Sequence, residues 1–114
     1  MDKKVAIVTG GTSGIGRATA LALQSDGYTI YELSRRAEGM ADVRHIVADI
    51  TKEETLRAAV DQVMAAEGRI DLVVNNAGFG ISGAIEFTAT EEAQRLFDAN
   101  FFGMVRMNRC VVPI

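Results

Sequence analysis

An α/β fold on a doubly wound parallel sheet is what this chain predicts, and three observations predict it. Short β-branched runs alternate with longer stretches of helical periodicity. A glycine-rich segment, residues 9–16, lies between the first such run and the first helix, and a second, residues 78–83, follows the fourth run. Parallel strands need crossovers of a dozen residues or more, which the helices supply. In the usual doubly wound order the strands lie 3-2-1-4. The crevice between strands 1 and 4 is then the topological switch point, where such sheets bind ligands.

The elements follow in order. Val5–Thr9 reads as a strand buried on both faces. Ile15, Ala18, Ala22 and Leu23 recur at helical spacing over residues 14–26, and Gly27 is placed to end that helix. Tyr28–Ser34 carries the β propensity of Thr29, Ile30 and Tyr31, and the Gly39-containing connection from Arg36 to Asp42 is too short for a good helix. His45–Ala48 is a third short strand. Thr51 and Glu54 read as a capping box, with Leu56, Ala59, Val60, Val63 and Met64 forming one apolar face and Gly68 the stop. Leu72–Asn75 is the fourth strand. A last helix from Thr90 carries Leu96, Phe97, Phe101, Met104, Val105 and Val112.

The chain has 114 residues, 48% of them apolar and 24% charged, which suits one domain over residues 1–114. No repeat, low-complexity tract or linker divides it. A formal charge of −3 gives no reason to expect nucleic-acid or membrane binding. The single Cys110 forms no internal disulfide, and no apolar run is long enough for a signal core or a span, so a cytoplasmic setting is expected. No His/Cys/carboxylate cluster has metal-ligand spacing. His45, the only histidine, has no partner nucleophile in the sequence and reads as a strand-end surface residue, and Cys110 reads as packing.

The segment Thr9-Gly10-Gly11-Thr12-Ser13-Gly14-Ile15-Gly16 is the most informative. A dinucleotide pyrophosphate needs backbone N–H groups at a helix N-terminus and no side chain in its path. Gly10, Gly14 and Gly16 answer with a tight turn, a close approach and close helix–strand packing. The spacing is G-x-x-x-G-x-G, distinct from the general G-x-G-x-x-G fingerprint, and no Gly-Lys-Ser/Thr follows to make a nucleotide-triphosphate loop.

That segment resembles, residue for residue, the T-G-x-x-x-G-I-G motif of the short-chain dehydrogenase/reductase family. Asn75-Asn76-Ala77-Gly78 is similar to the family's N-N-A-G, Asp49-Ile50 to its D-V pair, and Asn100, within Asp98-Ala-Asn-Phe-Phe-Gly103, to the asparagine of its catalytic tetrad. The resemblance runs over essentially the whole chain in the right order. It implies a Rossmann-type sheet, an NAD(P)-dependent hydride transfer between a carbonyl and an alcohol, and specific site residues. Gly10, Thr12, Ser13, Gly14, Ile15 and Gly16 would cradle the pyrophosphate. Asp49 would bond the adenine amino group, with the Ile50 backbone at the ring edge, although Asp49 also suits a turn before Thr51. Asn76, Ala77 and Gly78 would line the cofactor, while Asn75 would tie strand 4 to a neighbour. The Asn100 carbonyl would hold a water of the proton relay, often at a local kink.

Cofactor choice rests on Glu32-Leu33-Ser34-Arg35-Arg36. An NAD enzyme usually carries an acidic residue at the end of strand 2 for the ribose. Aligned on the family, Ser34 takes that place, and Arg35 and Arg36 stand where a guanidinium fork can bind a 2′-phosphate. NADP is therefore the expected cofactor, with Glu32 the rival signal for NAD if the register slips by two residues. A methyltransferase on a similar sheet would call for neither Arg35 nor Asn75-Asn76-Ala77-Gly78.

The family's chemistry also needs a Tyr-x-x-x-Lys pair and a Ser on the substrate oxygen, since a free tyrosine titrates near 10. Tyr28 and Tyr31 are followed four residues on by Glu32 and Arg35, Lys52 is the last lysine and Ser82 the last serine. The expectation is a truncated family member of about four strands, inactive alone, or a non-catalytic nucleotide-binding or assembly module. Strand 4 would then be a sheet edge and the last helix would expose Phe101, Met104 and Val112. A homo-oligomer covering both is expected.

Overall fold

The computed structural model describes residues 3–10, 14–37, 39, 43–76 and 89–113. Strands β1 (Val5–Thr9), β2 (Thr29–Ser34), β3 (Arg44–Val47) and β4 (Leu72–Val74) are joined by helices α1 (Gly14–Ser25) and α2 (Glu53–Glu67). Beyond β4 come α3 (Thr90–Phe97), a π turn (Asp98–Phe102) and α4 (Gly103–Val111). The strands form one parallel sheet in the order β3-β2-β1-β4, as the alternating pattern predicts.

β1 lies between β2 and β4, and all five of its residues are buried, as a central strand covered on both faces requires. One face of the sheet, with Val5, Ile7, Tyr31 and Leu33, packs on Leu56, Ala59, Val60 and Val63 of α2 and on Met107 and Cys110 of α4. Burial pushes the Cys110 thiol up from its ordinary range, in keeping with a packing role. The other face, with Ala6, Val8 and Ile30, packs on Ala20 of α1. The sheet is thus doubly wound.

At the N-terminal edge of the sheet, Asp71 pins β4 to β1. Its carboxylate accepts the Val5 N–H at 2.8 Å, and its own N–H donates to the Val5 carbonyl at 2.8 Å. Arg69 adds a two-pronged contact at 2.8 and 2.6 Å. The guanidinium bonds first, then the Val5 amide, hold the Asp71 carboxyl at about 2, well below the usual range.

Several local expectations are corrected. The buried side of α1 is Gly16 and Ala20, while Ile15, Ala18 and Ala22 face outward: helix and sheet approach closely, so the smallest residues turn inward. The Thr51–Glu54 capping box does not form. The N-cap of α2 is Lys52, without a side-chain cap, and the Thr51 hydroxyl donates instead to Asp49 Oδ1 at 2.7 Å. Thr55 joins the turn: its hydroxyl accepts from the Asp49 N–H at 2.9 Å and donates to the Lys52 carbonyl at 2.7 Å. Gly68 does end α2, in the left-handed region at φ 75. The last helix is broken into three pieces by its π turn.

Candidate functional site at the switch point

The carboxyl ends of β1 and β4 meet the start of α1, and the chain is stitched across the gap. Gly10 turns out of β1 at φ 66 and donates its N–H to the Leu33 carbonyl at 2.9 Å. Gly14 opens α1 at φ 58, a conformation that favours glycine. A Cβ on Gly16 would fall 2.3 Å from Asn76 Nδ2 and 2.4 Å from the Gly10 oxygen, so only glycine lets helix, loop and β4 meet. Asn76 donates its side-chain N–H to the Gly10 carbonyl at 3.0 Å and its backbone N–H to Thr9 Oγ1 at 3.0 Å. Thr9 Oγ1 donates in turn to the Val74 carbonyl at 3.4 Å.

The mouth of this clamp suits an anion. α1 presents its first amides with no acidic residue in its first turn, so no carboxylate of that turn answers the positive end of the helix dipole. Ile15, in that turn, is 80% exposed although apolar. Thr12, Ser13, Ala77 and Gly78 belong to the same motifs but lie outside the described residues. Asn75, expected to tie β4 to a neighbour, donates to Asn108 Oδ1 of α4 at 3.1 Å.

At the far end of the edge, β2 runs out at Ser34, half-buried, and Arg35 and Arg36 follow it exposed. Glu32 lies two residues inside the strand and is 0% exposed, with His45 Nδ1 2.5 Å and Ser34 Oγ 3.2 Å from its Oε1. His45 is therefore half-buried and bonded, which corrects its reading as a surface residue. Asp49 follows β3 and accepts from the Thr51 N–H at 2.9 Å and hydroxyl at 2.7 Å. Burial opposes its ionisation, but the two Thr51 bonds and the charges of Arg35 and Lys52 outweigh it, and its carboxyl sits below the usual range. Arg35 and Asp49 thus share one electrostatic neighbourhood.

Ile50 connects this end to the π turn. A Cβ on Gly103 would stand 3.0 Å from Ile50 Cβ, so α4 rests closely on that side chain. Arg106 donates to the Ile50 carbonyl at 2.8 Å and the Asp98 carbonyl at 3.0 Å, and pairs with the Asp98 carboxylate. Asn100 lies exposed within the π turn. π turns recur at functional sites. Gly103, Arg106 and His45 are the residues that sequence reasoning missed. Nothing in the spacing announces them, because their partners are main-chain carbonyls or residues far away in the chain.

A family model described as short chain dehydrogenase matches residues 4–114. A 3-ketodihydrosphingosine reductase of Bacteroides thetaiotaomicron is 40% identical over 114 residues, 99% of this chain and 42% of its own length. The ligand-free aldohexose dehydrogenase of Thermoplasma acidophilum superposes with a TM-score of 0.92 at 36% identity, over 98% of this chain and 44% of that one. A 3-ketoacyl-(acyl-carrier-protein) reductase of Brucella melitensis, in complex with NADH, gives 0.91 at 30% identity, over 98% of this chain and 50% of that one. The chain spans between 42% and 50% of the length of these relatives.

Proposed function

The chain belongs to the short chain dehydrogenase family, and on that premise we propose that it holds NADP(H) for hydride transfer between a carbonyl and an alcohol. The observation that carries this reading is the clamp of Gly10, Gly16 and Asn76 beside the start of α1. It leaves main-chain amides, with no carboxylate in the first turn, at the switch point of the sheet. Gly10, Thr12, Ser13, Gly14, Ile15 and Gly16 hold the pyrophosphate. Asp49 accepts from the adenine amino group, helped by a carboxyl that ionises readily. Ile50 meets the ring edge, and Asn76, Ala77 and Gly78 line the middle of the cofactor. Asn76 does this mainly through position, since its amide already bonds Gly10. Asn100 contributes its carbonyl to a water chain from the π turn. The dinucleotide, when bound, supplies or accepts the hydride.

Preference for NADP over NAD is read from the exposed Arg35 and Arg36 after a strand end that carries Ser34 rather than an acidic residue. Glu32, the rival ribose ligand, is buried against His45. The Brucella relative bound to NADH keeps NAD as the alternative. Calorimetric titration with NADPH, NADH and S-adenosylmethionine tests the reading. NADPH should bind more tightly than NADH, and S-adenosylmethionine not at all. Binding of S-adenosylmethionine alone would overturn the dinucleotide reading, and a preference for NADH would overturn the choice of NADP.

The 114 residues contain no Tyr-x-x-x-Lys, and this favours a second reading of the chain taken by itself: a nucleotide-binding module that binds without reducing. It forms one cofactor-binding half-domain over residues 1–114 in the cytoplasm, and self-association covers the β4 edge and the last helix. Among the described residues no helix is long and apolar enough to cross a membrane. Turnover of NADPH with a panel of ketones by the purified chain would refute the non-catalytic reading.

A further inference from the structure

A carboxylate, an imidazole and a main-chain carbonyl stand in a row leading to the Arg35–Arg36 segment. Glu32 is fully buried in β2, and His45, its cross-strand partner in β3, holds Nδ1 2.5 Å from Glu32 Oε1. The other ring nitrogen, Nε2, lies 2.6 Å from the carbonyl oxygen of Arg36. A carbonyl oxygen only accepts, so Nε2 carries a hydrogen and donates it. On its other side the ring is joined to the carboxyl of Glu32 through Nδ1, so both ring nitrogens are engaged. Gly39 closes over the ring: a Cβ there would fall 2.5 Å from His45 Cβ and 2.8 Å from Cγ. The imidazole joins the buried part of β2, the backbone just beyond it and Gly39.

We propose that His45 is a positioning residue for cofactor selection, holding the Arg36 carbonyl so that Arg35 and Arg36 stand ready for an adenosine 2′-phosphate. This rests on the reading that those arginines recognise that phosphate. The physical effect is preorganisation. An arginine just beyond a strand end loses conformational freedom on binding, and a carbonyl fixed by the imidazole N–H removes much of that loss beforehand.

The test uses adenosine 2′,5′-bisphosphate and adenosine 5′-monophosphate as probes, titrated calorimetrically, with the ratio of the two affinities as the readout. Asparagine at 45 reaches Glu32 but falls short of Arg36, whereas glutamine places a donor near the former Nε2. His45→Asn should lower the preference for the bisphosphate about tenfold, with monophosphate affinity held within about twofold. His45→Gln should restore most of it. Glu32→Gln should retain it, since its amide can donate to Nδ1 and leave Nε2–H facing Arg36. If His45→Asn keeps the wild-type ratio while Arg35→Ala collapses it, the positioning role is wrong and the phosphate reading stands. Equal weakening of both probes in His45→Asn means a structural role only and also overturns the proposal. Equal affinity for both probes in the wild type overturns the phosphate reading, and the proposal with it.

Discussion

Two glycines of one motif do different physical work, and substitution separates them. Gly14 sits at φ +58 with nothing among the described residues within 4 Å of a Cβ, so Gly14→Ala meets chiefly backbone strain and should cost about 1–2 kcal/mol. Gly16 has ordinary dihedrals but no room. Gly16→Ala should cost about 1–3 kcal/mol of overpacking and loosen the tie to Asn76. Adding Asn76→Ala should not rescue it, because the Gly10 oxygen still stands 2.4 Å from the new methyl. Urea unfolding of the three variants measures this, and full rescue by the double variant would contradict the packing account. Asp71 makes a pH prediction. Its folded pKa of about 2 lies below the ordinary 3.8, so its contribution is present above about pH 4 and disappears as pH falls through 2. The Asp71→Asn variant should be less stable than wild type at neutral pH, and the two urea midpoints should converge between pH 4 and pH 2. Parallel midpoints across that interval would mean the Arg69 and Val5 bonds do not act through the carboxylate charge.

At the scale of elements, the last helix behaves as three pieces held by one arginine. Arg106 bonds the Ile50 and Asp98 carbonyls and the Asp98 carboxylate, so it ties the π turn around Asn100 to the turn after β3. Arg106→Met keeps much of the apolar stem and removes the donors. It should destabilise by about 1–2 kcal/mol, the exposure of Asp98 discounting the ionic share. It should also increase amide exchange at Asn100 and Ile50 together, and exchange confined to one of them would break the proposed coupling. This contact shows where the sequence stops being legible. β1 and the strand order follow from the β-branched runs and crossover lengths alone, because burial and handedness leave few arrangements. The glycine motif likewise declares its place, since strand, turn and helix are consecutive. The π turn does not, because one inserted residue leaves the apolar spacing of Leu96, Phe97 and Phe101 nearly unchanged. The capping box fails because the helix starts one residue later, with Lys52 as its N-cap, and the Thr51 hydroxyl is drawn to the Asp49 carboxylate. His45 is hidden because its partners, Glu32 and the Arg36 carbonyl, come from another strand. The α1 face is misplaced because small residues carry little hydrophobic signal, yet they are the ones a close helix–sheet contact needs.

Across the whole molecule, exposed apolar side chains include Ile15 and Val47, and a run of them follows β4 along the chain. Phe97, Phe101 and Phe102 are 58%, 48% and 50% exposed in α3 and the π turn, and Val112, 77% exposed, follows α4. Phe101 and Phe102 meet edge to face at 5.1 Å, forming a single aromatic knob rather than two scattered side chains. The proposed self-association would cover this patch, and a net charge of only −3 offers little repulsion against it. Replacing both aromatics, Phe101→Ser with Phe102→Ser, removes apolar area that folding leaves exposed. Monomer stability should therefore change by no more than about 0.5 kcal/mol. Association should weaken by about tenfold or more, since buried aromatic anchors dominate such interfaces. Sedimentation velocity over a concentration series measures the second quantity and urea unfolding the first. A wild-type chain that stays monomeric at micromolar concentration would remove the case for self-association. A double variant that unfolds instead would show that the aromatic pair supports the helices from within, with the patch belonging to the core rather than to an interface.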